Sequence, residues 1–243
     1  MMQNIEIQFS DHRAPCVFPD RRDQLPQALV ELNLGDCYPV IVLIGGYIQS
    51  QHAEATQKAI DVIAAFAEEN GANVICGGTE VGIMGSIGQT RAAHRYGFPL
   101  LGITLEKLVT WPHGPRPKRF LWWREERWPL STGYSHFILA PGERFGEDSP
   151  WLAEAASCLS RASKSVTILA NGGGVARKDI ALSIEKGRSV IVLAGTGRLA
   201  DEIASDPNKP ALVSTVQAED ENALREVIQS QFEIAKELQH EHG

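Results

Sequence analysis

Glycine-rich turns follow four apolar runs of this 243-residue chain, and their residue types suit the binding of a phosphate-bearing ligand. Glycine lets backbone N–H groups approach a ligand closely, and the N-terminus of a following helix favours an anion. One such turn is common between a strand and a helix, whereas four of them predict a shared site for a nucleotide-like small molecule. The candidate ligand-binding residues are Gly45, Gly46, Gly77, Gly78, Thr79, Glu80, Gly82, Gly85, Gly172, Gly173, Gly174, Gly195, Thr196, Gly197 and Arg198.

Alternating strands and helices are predicted to position these turns. Apolar runs of strand length occur near Pro39–Ile44, Asn73–Cys76, Leu100–Thr104, His136–Ala140, Val166–Ala170, Val190–Ala194 and Ala211–Val216. Segments of helical pattern lie between or after them, near 53–70, 86–96, 151–161, 176–186, 198–205 and 219–238. This order predicts an α/β fold, a Rossmann-like, doubly wound, mostly parallel sheet with helices on both faces. The carboxyl ends of its strands would converge on one crevice.

The length predicts one domain over residues 1–243, with a core at about 39–216 and a closing helix at about 219–238. Three prolines, Pro15, Pro19 and Pro26, interrupt the N-terminal part. We therefore expect only a short strand near Ile5–Phe9 and a helix near Gln24–Leu32 before the core begins.

Composition and charge exclude several classes of function. The net charge of −7 argues against a surface dedicated to nucleic acid. No apolar run reaches the roughly 18–20 residues of a membrane span, and the N-terminus lacks the pattern of a signal peptide. We expect a cytoplasmic protein, with a membrane-bound effector as a possible partner. The spacing of the four cysteines and seven histidines predicts no metal site, and we expect no cofactor.

One segment, at about 106–135, is far longer than the usual connection between a strand and the next element. It holds four of the five tryptophans, Trp122 and Trp123 among them, and five basic residues between Arg116 and Arg127. Such a segment could pack on its own domain, form the interface of a homo-oligomer, close over a ligand as a lid, or bind nucleic acid. The acidic chain makes nucleic acid the least favoured, and we expect a homo-oligomer.

The stretch Gly77–Gly85, GGTEVGIMG, resembles the first glycine motif of the SLOG superfamily, which groups the Smf/DprA proteins with the Lonely Guy proteins. Three further stretches, which begin at Tyr134, Gly172 and Gly195, resemble the branch found in melastatin-type TRP channels and prokaryotic proteins. The resemblance covers about 39–205. It implies a Rossmann-like sheet whose glycine loops bind a nucleotide-derived ligand, ADP-ribose or an NAD-like molecule, and a non-catalytic sensor function. It also implies a ligand contact for Arg198.

The enzyme branch of the superfamily supplies the alternative function, a nucleoside-monophosphate phosphoribohydrolase of Lonely Guy type. The Lonely Guy motif Pro-Gly-Gly-x-Gly-Thr-x-x-Glu ends in a catalytic glutamate, and Asp179 stands at the corresponding position of this chain. The shorter side chain changes the reach to a ribose, and a misplacement of about 1 Å can cost on the order of a hundredfold in rate. We therefore expect no catalytic residue, with Asp179 and Glu80 as the carboxylates that hydrolysis would use. A scaffold that has lost its ligand is a third hypothesis.

Overall fold

A computed structural model describes residues 2–34, 39–117, 126–160 and 165–240 of the chain. The strands are β1 (Gln3–Gln8), β2 (Arg13–Phe18), β3 (Val40–Gly45), β4 (Asn73–Cys76), β5 (Leu100–Leu105), β6 (Val109–Thr110), β7 (Trp128–Pro129), β8 (His136–Ala140), β9 (Ser165–Ala170), β10 (Ser189–Ala194) and β11 (Val213–Gln217). The helices are α1 (Leu25–Glu31), α2 (Ala53–Asn70), α3 (Gly82–His94), α4 (Ser149–Ser160), α5 (Gly174–Glu185), α6 (Arg198–Ala204) and α7 (Glu221–His240).

Nine of these strands form one sheet, in the order β1-β2-β8-β5-β4-β3-β9-β10-β11. All neighbours are parallel except β1 and β2. From β3 the chain winds outward through β4, β5 and β8, then returns to β9 on the other side of β3 and continues to β11. The order reverses between β3 and β9, and a doubly wound sheet binds ligands at such a point. The predicted α/β, Rossmann-like fold class is confirmed.

Helices cover both faces of the sheet because its central strands are apolar on both sides. Every residue of β3 and β9 is buried except one at an end of each strand, as is usual for parallel sheets. The helices α2, α3 and α7 pack on one face, and α1, α4, α5 and α6 on the other. In α7 the side chains of Leu224, Ile228 and Phe232 are buried, so this helix covers the sheet. Among the described residues, no helix has the length and apolar character needed to span a membrane.

The N-terminal part contains a hairpin, β1 with β2, where the sequence predicted a single strand. Pro15 made a second strand an unfavourable prediction because proline cannot donate to a ladder. The structure places Pro15 outside the two pairs that join β2 to β8, which are Cys16 with Phe137 and Val17 with Ile138.

Helix α3 begins four residues earlier than predicted, at Gly82 instead of Ser86. It ends at His94, two residues before the predicted end, and Arg95 after it takes a left-handed conformation. The last residues of the glycine motif therefore form the first turn of this helix.

The predicted insertion at about 106–135 is described at residues 106–117 and 126–135. Its two short strands, β6 and β7, pair with each other, and Leu130 forms an isolated bridge with Thr79. Trp111 packs against the core, with its ring centroid 6.1 Å from that of Phe18. The predictions that rest on Trp122, Trp123, Lys118, Arg119 and Arg124 lie outside the described residues, so the interface and the lid remain predictions.

Candidate functional site

The four glycine turns lie side by side at one edge of the sheet, because they follow the consecutive neighbours β4, β3, β9 and β10. Direct contacts connect adjacent turns. Ile83 donates its backbone N–H to the carbonyl oxygen of Gly46 at 3.2 Å, which joins the β4 turn to the β3 turn. The side-chain amide of Asn171 donates to the carbonyl oxygen of Thr196 at 2.9 Å, which joins the β9 turn to the β10 turn.

Arg198, the first residue of α6, places its guanidinium between the β3 and β9 turns. Its Nη1 donates to Asn171 Oδ1 at 3.4 Å. Its Nη2 lies 2.7 Å from the point that a Cβ on Gly173 would occupy, and Nη1 lies 3.5 Å from the same point on Gly46. No carboxylate of the described residues forms an ion pair with Arg198. The side chain is exposed and can bind an anion through both nitrogens.

Two helix N-termini at this edge lack a side-chain cap. The residue before α3 is Val81 and the residue before α5 is Gly173, and neither makes a capping hydrogen bond with its side chain. Neither helix has an acidic residue in its first turn. The first N–H groups of a helix have no partner within it and favour a negative charge. The α5 terminus, beside Arg198, therefore forms with it an arrangement suited to a phosphate group.

The turn after β10 differs, because its polar groups are paired within the protein. The amide of Gly195 donates to Asp201 Oδ1 at 2.6 Å, and that of Gly197 donates to Asp201 Oδ2 at 3.1 Å. The buried hydroxyl of Thr196 donates to the carbonyl oxygen of Leu193 at 2.6 Å. His52 Nδ1 lies 2.9 Å from the carbonyl oxygen of Gly195. Asp201 ends the stretch from Gly195 that carries the family resemblance, but its hydrogen bonds to the turn were not predicted, and no sequence pattern pointed to His52.

A cavity of about 260 Å³ adjoins the turns after β3 and β4. Gly45, Gly77 and Thr79 form part of its wall. Three apolar side chains that line it are unusually exposed for their type, at 36% for Trp128, 47% for Phe145 and 41% for Val175. A concave site with apolar walls and a few polar groups is the usual form of a small-molecule pocket.

Two carboxylates, Asp148 and Asp179, are the charged groups of this cavity. Burial, and to a lesser extent the nearby Asp148 carboxylate, raise the pKa of Asp179 to about 6. Burial also raises the pKa of Asp148, whose Oδ1 accepts a hydrogen bond from the Gly146 amide at 2.8 Å. The pair can accept hydrogen bonds from ligand hydroxyl or amino groups. The sequence pointed to Asp179 alone, because nothing in it showed that the residues before α4 pack beside α5.

Several predicted site residues serve packing between the turns. A Cβ on Gly45 would lie 2.0 Å from the carbonyl oxygen of Ala170. A Cβ on Gly82 would lie 2.1 Å from the carbonyl oxygen of Gly46. Three more glycines are closely packed in the same way. A Cβ on Gly78 would meet Gly102, one on Gly85 would meet Glu80, and one on Gly172 would meet Leu169 and Ala176.

The remaining predicted residues include Glu80 and Gly174. Glu80 Oε1 accepts a hydrogen bond from Gln89 at 2.9 Å, and its buried Oε2 has no partner. At Gly174 the space that a Cβ would enter is open. Within the described ranges, no group of three or more His, Cys, Asp and Glu side chains could hold a metal ion.

Comparisons with known proteins agree with this architecture. The family model described as SLOG in TRPM, prokaryote, matches residues 38–237. A search of curated proteins found no match. The X-ray structure of TM1055 is similar at 18% identity with a TM-score of 0.54, over 79% of this chain and 99% of that one. The molybdenum cofactor binding protein from the phototrophic bacterium Rippkaea orientalis is similar at 18% identity with a TM-score of 0.53, over 79% and 96%. At 18% identity, the similarity to these two structures supports the fold alone.

Proposed function

Because the chain belongs to the prokaryotic family of SLOG domains related to those of TRPM channels, we propose that it binds a nucleotide-derived ligand in the crevice between β3 and β9. The observation that carries the proposal is the position of Arg198. Its guanidinium lies beside Gly46 and Gly173 and has no carboxylate partner among the described residues. A phosphate group there would contact the guanidinium and the first N–H groups of α5.

The cavity would hold the base and sugar of the ligand. Its volume of about 260 Å³ is close to the lower end of the roughly 300–1,000 Å³ of small-molecule sites, which suits one nucleoside. Trp128 and Phe145 offer ring surfaces for a base. The carboxylates of Asp148 and Asp179 would accept hydrogen bonds from sugar hydroxyls or from an amino group of the base.

In this proposal the protein is a non-catalytic cytoplasmic sensor whose ligand-bound state is read by a second copy or by an effector. The family relationship makes ADP-ribose and NAD-like molecules ligand classes to test. Binding would order the α5 terminus and Arg198 around the phosphate, and this is the change that a partner could detect.

A substitution at Gly46 tests the site. A Cβ there would lie 3.5 Å from Arg198 Nη1 and 3.7 Å from Asn171 Oδ1, which are ordinary contacts, so a side chain fits. The carboxylate of Gly46→Asp would pair with Arg198 and repel phosphate. We expect at least about tenfold weaker binding in isothermal titration calorimetry, since hydrogen bonds to charged groups contribute about 1.5–3 kcal/mol. The matched control, Gly46→Ala, adds no charge and should keep the affinity within about threefold.

The titrations would use AMP, GMP, CMP and UMP, their diphosphates, ADP-ribose and NAD. If none of these ligands binds the unmodified protein, the proposed function is wrong. If Gly46→Asp binds as tightly as Gly46→Ala, the phosphate does not lie at Arg198 and the proposed site is wrong.

Hydrolysis of a nucleoside monophosphate at its base–ribose bond is a second candidate function. The observation in its favour is Asp179, a cavity carboxylate whose pKa of about 6 suits acid–base chemistry near neutral pH. Release of free base, measured by chromatography, would support it if Asp179→Asn abolished the release and Glu80→Gln, outside the cavity wall, did not. If none of the four monophosphates released free base, the binding function would remain and the hydrolase function would be excluded.

A further inference from the structure

Asn171, the residue after β9, contacts the guanidinium of Arg198 through an uncharged side chain. Arg198 Nη1 donates to Asn171 Oδ1 at 3.4 Å, and Asn171 is fully buried. We infer that Asn171 is a positioning residue of the phosphate site, whose amide orients the guanidinium toward the ligand and does not neutralise its charge. The inference rests on the proposed function, and it concerns how the site is held together and not which nucleotide binds there.

Hydrogen bonds to the β9 and β10 turns fix the orientation of the Asn171 amide. Its Oδ1 also accepts the backbone N–H of Gly172 at 2.8 Å, and its Nδ2 donates to the carbonyl oxygen of Thr196 at 2.9 Å. Exchanging Oδ1 and Nδ2 would place an NH₂ group against the N–H of Gly172 and an oxygen against the carbonyl of Thr196. The neighbouring backbone therefore determines that an oxygen faces Arg198.

The backbone of Asn171 is held in place as well. Its N–H donates to Thr196 Oγ1 at 2.8 Å, and its carbonyl oxygen accepts the N–H of Ala200 at 2.9 Å. Ala200 belongs to the first turn of α6, and Arg198 is the first residue of that helix. These bonds therefore fix the start of α6, with the side chain of Arg198, against the end of β9.

Both residues of this contact have a left-handed backbone, with φ of 60° at Asn171 and 53° at Arg198. This conformation is unfavourable for residues other than glycine, although asparagine tolerates it better than most. Unfavourable backbone angles that the surrounding structure enforces cluster at binding sites. Here they occur at the ends of the adjacent strands β9 and β10, where the two side chains meet. The backbone angles thus point to the same pair independently of the hydrogen bonds.

A neutral partner leaves Arg198 able to bind an anion. The amide oxygen accepts one of the five N–H donors of a guanidinium and does not cancel its positive charge. Nη2 lies 2.7 Å from the point that a Cβ on Gly173 would occupy, beside the start of α5. The other donors and the charge are therefore available to a phosphate group.

A double-mutant cycle tests the inference, measured by titration calorimetry with the tightest-binding nucleotide among AMP, GMP, CMP, UMP, ADP, ADP-ribose and NAD. Asn171→Gly keeps a residue that tolerates the left-handed backbone and removes the amide. We expect about fivefold weaker binding, the effect of one neutral hydrogen bond. In the background of Arg198→Ala the same substitution should change the affinity by less than about twofold, because the group that Asn171 positions is absent.

Equal losses of affinity in the two backgrounds would overturn the inference, since Asn171 would then act on binding without Arg198. Unchanged affinity in Asn171→Gly would overturn it as well. If none of these nucleotides binds the unmodified protein, the proposed function itself fails.

Asn171→Asp is a second variant, which keeps the size of the side chain and tolerates the left-handed backbone. Its carboxylate would pair with Arg198 and neutralise it, so we expect at least about tenfold weaker binding, a larger loss than in Asn171→Gly. Binding by Asn171→Asp as tight as that of the unmodified protein would contradict the inference.

The control for a loss of stability alone is Thr167→Val. It breaks the buried hydrogen bond between the hydroxyls of Thr167 and Ser183, 2.8 Å apart, which joins the middle of β9 to α5. The affinity of this variant should stay within about twofold of that of the unmodified protein. A loss as large as that in Asn171→Gly would show that binding depends on the stability of β9, and the positioning role of Asn171 would be wrong.

Discussion

Two arginines flank strand β10, one at each edge of the sheet, and the protein uses them in opposite ways. Arg188, before the strand, is 2% exposed and donates to Ser165 Oγ at 2.9 Å and to the carbonyl oxygen of Ala153 at 3.1 Å. Burial lowers its pKa to about 10. Arg198, after the strand, is exposed and makes one long contact, 3.4 Å to Asn171 Oδ1. One guanidinium stabilises the fold, and the other is free to bind a ligand.

Acidic side chains at the two edges show the same contrast. At the amino edge, Glu68 Oε2 accepts the backbone N–H groups of Gly97 at 2.7 Å and Phe98 at 2.9 Å. At the carboxyl edge, Asp179 lines the cavity beside a second carboxylate, and burial raises its pKa. Glu68 at the amino edge is thus paired with neighbouring backbone groups, whereas Arg198 at the carboxyl edge makes only its long contact to Asn171.

The largest expected effect of breaking this contrast is on stability. Arg188→Ala removes the guanidinium that donates to the carbonyl oxygen of Ala153 and to the hydroxyls of Ser157 and Ser165, and it creates a void. We expect a loss of about 3 kcal/mol in the free energy of unfolding, measured by urea denaturation. The matched variant Arg198→Ala should change it by less than about 0.5 kcal/mol, as exposed substitutions usually do. Equal losses in the two variants would contradict the division of roles.

The second prediction concerns affinity. Arg198→Ala should weaken binding of the tightest nucleotide at least about tenfold, because it removes hydrogen bonds to a charged group. The affinity of Arg198→Lys should lie between those of the unmodified protein and Arg198→Ala, since lysine keeps the charge and lacks the planar fork of the guanidinium. Arg177→Ala is the control, because Arg177 is an exposed arginine of α5 that pairs with Glu202. Equal weakening by Arg177→Ala would show a general loss of positive charge in place of a specific contact.

The fold was largely predictable because apolar runs and glycine or asparagine ends coincide with real boundaries. Helix α2 spans 53–70 and strand β4 spans 73–76, as predicted. Strand β2 was missed, since its residues pair with strands distant in the sequence and contain Pro15. No local pattern reports such pairing.

The candidate site was predictable only at the level of its turns. A glycine beside a ligand and a glycine that permits packing look alike in sequence, and here Gly46 is beside Arg198 whereas Gly82 abuts a carbonyl oxygen. Asp148 had no sequence signal, and Asp201 was visible only as the end of a motif, because their roles depend on contacts made after folding. The sequence thus indicated where backbone turns would meet and that Arg198 would contact a ligand, but not which backbone donors would stay free.

The smallest expected effect is a pH-dependent gain of stability in Asp179→Asn. The pKa of Asp179 is raised from its ordinary value of 3.8 to about 6, so the folded protein binds this proton more tightly than the unfolded chain does. The protein therefore loses stability as the pH rises from about 4 to about 6, with no further change from this group above that range. Asparagine removes the penalty, and we expect the variant to be about 1 kcal/mol more stable than the unmodified protein at pH 8, with the difference vanishing near pH 4. Thermal unfolding across this pH range measures the difference.

The matched variant Glu68→Gln, at the amino edge, should instead lower stability at pH 8, because the Glu68 carboxylate accepts two backbone N–H groups. If Asp179→Asn lowered stability as Glu68→Gln does, Asp179 would be as fully paired as Glu68, and the contrast between the two carboxylates would fail.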